Sequence, residues 1–238
     1  MDRAKKLAVV PTNVFEEIFG EKIEDGSEGK KMETKKYIAS VRKFCKSMIH
    51  FEGSIEQTYK YSKKLNTDGR IYSKAFGVQN LQSDIRSYLC GKLYNDFDMV
   101  NCQPTLLLSV MKQYYPTHKF PILEMYIDNR DGVLRKISKD RAKAKLDIIV
   151  CMNSQKKTKS WNKVLIGLDN EFKRAQDLLW NESTDFTNRF ECFKGLNKQN
   201  PKGGFIAVCL GGLERSVLMS CVNLFDKKNV STLIHDGF

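Results

Sequence analysis

A chain of 238 residues, 41% hydrophobic and 29% charged, can bury a sizeable core and is too apolar for a disordered tail. No run approaches the roughly 18 apolar residues of a membrane span, the opening MDRAKKLAVVPTN lacks a secretory core, and seven scattered cysteines with three histidines argue against a zinc site or a disulfide framework. The net charge of +12 points to a polyanionic partner, and the expectation is a soluble intracellular protein with reduced, mostly buried thiols and no membrane partner.

Residues 1–30 end in EDGSEGKK, a polar break with the character of a linker. From 31 to 65, Tyr37, Val41, Phe44 and Met48 recur at helical spacing with Cys45 beside them, and basic residues take the other side. TDGR at 67–70 signals a turn, after which IYS can begin a strand. LYNDFDM at 93–99 reads as a strand, and Pro104 then opens a helix through LLLSVMKQYY. Residues 117–150 read as largely helical, ISKDRAKAKLDIIVCMN most clearly. The polar stretch NKQNPKGG at 197–204 interrupts the chain. In 205–226, Leu210, Leu213, Val217, Cys221 and Leu224 fall on one helical face, although Gly211 and Gly212 weaken its first turn. VSTLI at 230–234 is a short strand leading into HDGF. The order predicts an α+β layer, helices against a small sheet.

Basic residues cluster at Lys30, Lys31, Lys35, Lys36, Arg42, Lys43 and Lys46, again at Lys60, Lys63 and Lys64, and again at Lys156, Lys157 and Lys159. Such clusters suit phosphates, whose neutralisation releases counterions and supplies most non-specific nucleic-acid affinity. The last of them reads as a solvated loop, with template contact as the other reading.

Two carboxylates stand out. Asp98 and Asp236 each end a strand-like run, and Asp96 shares a strand face with Asp98 by the period of two. Buried carboxylates are costly unless paired or metal-bound. If the two strands are neighbours, the carboxylates converge and can hold Mg²⁺ through oxygen, as two-metal nucleotidyl transfer requires. Taken alone, the same residues also fit solvated turns.

Four ordered blocks bear on that choice. They are TDGRIYSKAFGVQNLQSDIRSYL with Gly69, Arg70, Ser73, Gln79, Asn80, Ile85 and Arg86; DMVNCQPTLL with Asp98; RAKAKLDIIVCMN with Arg141 and Lys145 four apart; and STLIHDGF with Asp236. YIDNRDGVLRKI adds Arg130 and Asp131. Together the blocks resemble the palm and fingers of family A DNA polymerases, most of all the small divergent forms of virophages and related mobile elements. The resemblance implies a right-hand fold with an antiparallel palm sheet, helical fingers and a mostly helical N-terminal segment. Its divisions would be 1–66, 67–116 with motif A, 117–204 as fingers, and 205–238 with motif C, truncated thereafter.

The implied activity is addition of dNTPs to a primer 3′-hydroxyl, with two Mg²⁺ on Asp98 and Asp236 and Asp96 as an auxiliary ligand. Arg141, Lys145, Gln103, Arg130, Ile149 and Asn153 would meet the nucleotide. Arg70, Arg86, Gln79, Asn80 and His235 would meet a DNA primer-template, with a separate helicase or primase as a further partner. The sequence departs from the family at Gly237 and Gln103, where the family has glutamates, and at Ile149 and Asn153, where it has aromatics. A single-subunit RNA polymerase or primase-like enzyme, and a catalytically inactive palm that binds nucleic acid, stand as alternatives.

Overall fold

Two units, each with its own hydrophobic core, make up the chain in a computed structural model that describes residues 1–11, 13–15, 34–51, 55–61, 69–91, 95, 97–225 and 232–233. Unit 1 comprises Met1–Lys60, Tyr72–Phe97 and Asp226–Phe238, and unit 2 comprises Tyr61–Ile71 and Asp98–Phe225. The fold is α+β in the coarse sense: mostly helical, with β1 (Tyr59–Tyr61) and β2 (Ile71–Ser73) pairing as a two-stranded sheet. The turn read at 67–70 is consistent with Gly69, which holds φ at +83°, a region glycine enters without a Cβ clash.

Unit 1 is organised by α2 (Thr34–His50), against which α1 (Asp2–Val9) packs. Tyr37, Ile38, Val41, Phe44 and Cys45 are all buried, which is the i, i+4, i+7, i+8 stripe of an amphipathic helix. They join Leu7, Leu81, Ile85 and Leu89 in one core, the last two from α3 (Ser83–Cys90). Phe76 stands edge-on to both Tyr37 and Phe44, with ring centroids 5.9 and 6.3 Å apart. The Gln82 N–H donates to the Tyr37 hydroxyl at 2.8 Å and fixes the start of α3 on α2.

Unit 2 is a helical assembly of α4 (Cys102–Tyr114), α5 (Pro121–Asp128), α6 (Arg130–Ile137), α7 (Arg141–Asn153), α8 (Lys163–Asn181), α9 (Asp185–Asn188) and α10 (Pro201–Val222). Its starts are written locally. Asp140 accepts from the Ala142 and Lys143 N–H groups, Asn162 from Val164 and Leu165, and Asn129 from Gly132, each filling orphan donors of a first helical turn. Glu171 does the same at a distance, accepting from Ile122 and Leu123 at 3.1 and 2.8 Å at the head of α5. The α8 helix is central, packing against α5, α6, α7 and α10 through Leu165, Leu168, Phe172, Ala175 and Leu179.

Three expectations need correction. The run 93–99 is not a regular strand where it is described. Asp98 forms a single bridge, Phe97 and Val100 are exposed, and residues 93, 94 and 96 lie outside the described residues. The polar break at 197–204 gives way to α10 at Pro201, two residues before a glycine pair. Gly203 is needed there, because a Cβ would lie 1.8 Å from the Asn153 carbonyl oxygen. The buried face of α10 is also rotated from the expected one. Ile206, Leu210, Glu214 and Leu218 are buried, while Val217 and Leu224 are exposed. The 22 residues of α10 have the length and hydropathy of a span, but they fill the core of unit 2 against α4, α7 and α8. The expected strand at 230–234 lies mostly outside the described residues; Thr232 and Leu233 are irregular.

Candidate nucleic-acid interface

Positive charge is displayed in both units. On α2 of unit 1 the apolar stripe faces inward, which leaves Lys35, Lys36, Lys43 and Lys46 on the exposed side. Arg42 lies between the two sides and donates to the Val10 carbonyl. In unit 2 exposed charge lies on α7, at Arg141, Lys143 and Lys145, and on the loop 154–162 between α7 and α8, where Lys156, Lys157 and Lys159 are exposed, as is Lys163 just beyond.

That loop is fixed by side chains from several helices. The Thr158 N–H donates to Asp169 Oδ2 at 2.9 Å, and the other oxygen of this buried carboxylate takes a bond from Lys173 Nζ at 2.7 Å. Gln176 Nε2 donates to the carbonyls of Met152 and Ser154 at 2.7 and 3.0 Å. The Gln155 N–H donates to Asn200 Oδ1 at 3.0 Å, and Asn162 Nδ2 to the Lys136 carbonyl at 2.7 Å. With the loop backbone so held, the attachment points of its lysines are fixed before any partner arrives, which reduces the backbone part of the ordering cost of binding.

The other residues singled out in the sequence divide into three groups. Arg70 and Gln103 converge on Glu214: their side-chain nitrogens stand 2.8 and 3.2 Å from Oε2 of this fully buried carboxylate. Gly211 lets Arg70 approach α10 closely, its would-be Cβ lying 3.3 Å from Arg70 Cγ. Gln79, Asn80 and Arg86 bond largely within the chain. Gln79 accepts from the Ser73 N–H and donates to the Leu233 carbonyl, Asn80 accepts from Ser73 Oγ and the Gly77 N–H, and Arg86 donates to the Leu81 carbonyl. Arg141, Lys145 and Ile149 lie along one exposed face of α7, with Arg141 3.2 Å from the exposed Asp131 and Asn153 Nδ2 donating to the Ile149 carbonyl. Arg130 is half-buried beside Tyr126; burial pushes that phenol's pKa up, and the Arg130 charge opposes the shift.

Asp98 is exposed, and Asp96, His235 and Asp236 lie outside the described residues. Among the described residues, no group of three or more His, Cys, Asp or Glu side chains could hold a metal ion. One feature was missed at the sequence level. Trp161, in the loop 154–162, is exposed across 96% of its surface. Its only signal in the sequence is its place in KKTKSWNK, a basic run with one aromatic.

The comparisons overturn the polymerase expectation. A protein of Sputnik virophage described as a putative helicase is 28% identical over 205 aligned positions, which take in 78% of this chain and 26% of the relative. The chain thus spans about a quarter of the length of the curated relative it matches. That description names a helicase, so the family A DNA polymerase assignment and the activity drawn from it are withdrawn, together with its RNA-polymerase-like and inactive-palm alternatives. No family model matches the chain. No solved structure matches it.

Proposed function

We propose that this chain is a nucleic-acid-binding segment of a helicase-like protein, and that the loop 154–162 is its principal contact with the strand. The carrying observation is the set of exposed lysines, Lys156, Lys157, Lys159 and Lys163, on a backbone fastened to α6, α8 and α10. The virophage relative supplies the helicase part of the reading. Strand binding is assigned to these residues rather than nucleotide hydrolysis, because the 238 residues hold no Gly-x-x-x-x-Gly-Lys-Ser/Thr loop to cradle ATP phosphates.

Physically, each lysine that meets a phosphate releases condensed counterions, so affinity depends on salt. About four contacts on a single strand give a log–log slope of about −2.8, or an affinity loss of about fiftyfold between about 50 and 200 mM salt. Fluorescence anisotropy of a labelled oligonucleotide across that range measures the slope directly. The proposal fails if the chain binds no oligonucleotide at the lowest salt, or if its affinity does not change with salt.

A further inference from the structure

Trp161 is 96% exposed, whereas tryptophan is on average highly buried. The exposure does not come from a loosely attached loop. The backbone is bonded at Gln155 to Asn200, at Thr158 to Asp169 and at Asn162 to Lys136, so the residue next to Trp161 is pinned to the last turn of α6. A segment this well fastened presents its indole to solvent in a defined place.

The surroundings indicate what could cover it. Lys136, Lys156, Lys157, Lys159 and Lys163 are all exposed, on the loop or on the segment to which Asn162 ties it. Protein interfaces are depleted in lysine at their centres, so this setting is a poor fit for the core of a protein contact. An aromatic ring among lysines matches single-stranded nucleic acid, where bases stack on the ring and phosphates pair with the cations. A duplex offers no such match, because its bases are already stacked on one another.

We infer that Trp161 is a stacking platform for an unpaired base and that the lysines around it hold the flanking phosphates, so that the loop takes single-stranded rather than duplex nucleic acid. This rests on the nucleic-acid reading above and narrows it. Stacking on one aromatic is worth roughly a factor of ten in affinity, and phenylalanine retains much of it.

The test uses the full chain, an oligothymidylate of about 15 nucleotides and a duplex of equal length, a span within the range of known single-strand site sizes. Because Trp161 is already exposed, its replacement leaves the core of unit 2 intact, and thermal melting checks this. Trp180, edge-on to Phe205 at 5.7 Å inside unit 2, provides a constant background emission. The expected results are quenching of tryptophan emission by the oligothymidylate, loss of that quenching in Trp161→Phe with affinity kept within a few-fold, and about tenfold weaker single-strand binding in Trp161→Ala with duplex binding unchanged. The inference is overturned if Trp161→Ala binds the oligothymidylate like the unmodified chain, or weakens single strand and duplex alike. It is also overturned if the emission responds to vesicles of phosphatidylserine and phosphatidylcholine but not to the oligothymidylate, which would make the residue a membrane anchor. If the unmodified chain binds neither nucleic acid, the underlying function is wrong as well, a result separate from failure of Trp161 alone.

Discussion

Units 1 and 2 both display lysines, but they hold them differently. In unit 1 the lysines are the outer side of α2, a helix whose inner side, with Tyr37, Ile38, Val41, Phe44 and Cys45, already explains why the helix is there. Any soluble amphipathic helix needs a polar side, so those charges are accounted for before a partner is invoked. In unit 2 a second set of lysines, besides those on the outer side of α7, sits on a loop that buries little and is nonetheless fastened at several points, with an indole left in solvent. Core packing does not account for that arrangement, and the proposed strand contact would. Where charge sits is therefore more informative than how much of it there is.

The units also differ in how they satisfy buried polar groups, and this predicts the largest effect. Around Gln79 and Asn80, unit 1 uses neutral amides against backbone N–H groups and the Ser73 hydroxyl, whereas unit 2 buries the Glu214 carboxylate with Arg70 and Gln103 on one oxygen. Removing Arg70 leaves that charge in the core without its cation. Arg70→Ala should cost about 3–5 kcal/mol in urea unfolding, and Glu214→Gln, which removes the charge itself, should cost less. If Arg70→Ala costs under about 1 kcal/mol, the pair is not the clamp described here.

A smaller effect should be shared by both units. Burial, with a lesser contribution from Cys90, pushes the Cys45 thiol of unit 1 up from 9.0 to about 11. Burial, with a lesser contribution from Asp169, does the same for Cys151 of unit 2. The folded state holds each thiol protonated, so the stabilisation is complete below pH 9 and is lost as pH rises towards 11, where the unfolded thiol ionises first. The loss is on the order of 2–3 kcal/mol per thiol. Melting temperatures measured between about pH 8 and 11 should fall, and Cys45→Ala should flatten that fall. An unchanged slope in that variant would show that its thiol is not held protonated in the fold.

Much of the architecture was legible because it depends on local chemistry. The α2 stripe and the basic helix α7 follow from periodicity; the helix read from Pro104 begins two residues earlier, at Cys102, and of the turn read at 67–70 the described part is Gly69, at positive φ, and Arg70. What was not legible depends on partners distant in sequence. The buried face of α10 includes Glu214, whose partner Arg70 lies 144 positions away and cannot be located from the sequence around the helix. The bonds that Gln79 and Asn80 make to Ser73 and to the Gly77 N–H, around β2 and the segment after it, were likewise not visible in the sequence. The strand read at 93–99 lies partly outside the described residues, and those described show a single bridge at Asp98 with Phe97 exposed. At the site, the lysine run was visible in the sequence and the exposure of Trp161 was not, because exposure is a property of the folded loop.

The most direct measurement of the central claim is a comparison of two charge-reversal variants for oligothymidylate binding at fixed low salt. One carries glutamate at Lys156, Lys157 and Lys159 in the loop of unit 2, and the other carries glutamate at Lys43 and Lys46 on α2 of unit 1. All five positions are exposed, so both variants should keep the melting temperature of the unmodified chain. The account predicts that the loop variant loses more than about tenfold in affinity and shows a shallower salt slope, while the α2 variant changes by no more than about threefold. A larger loss in the α2 variant than in the loop variant would contradict it.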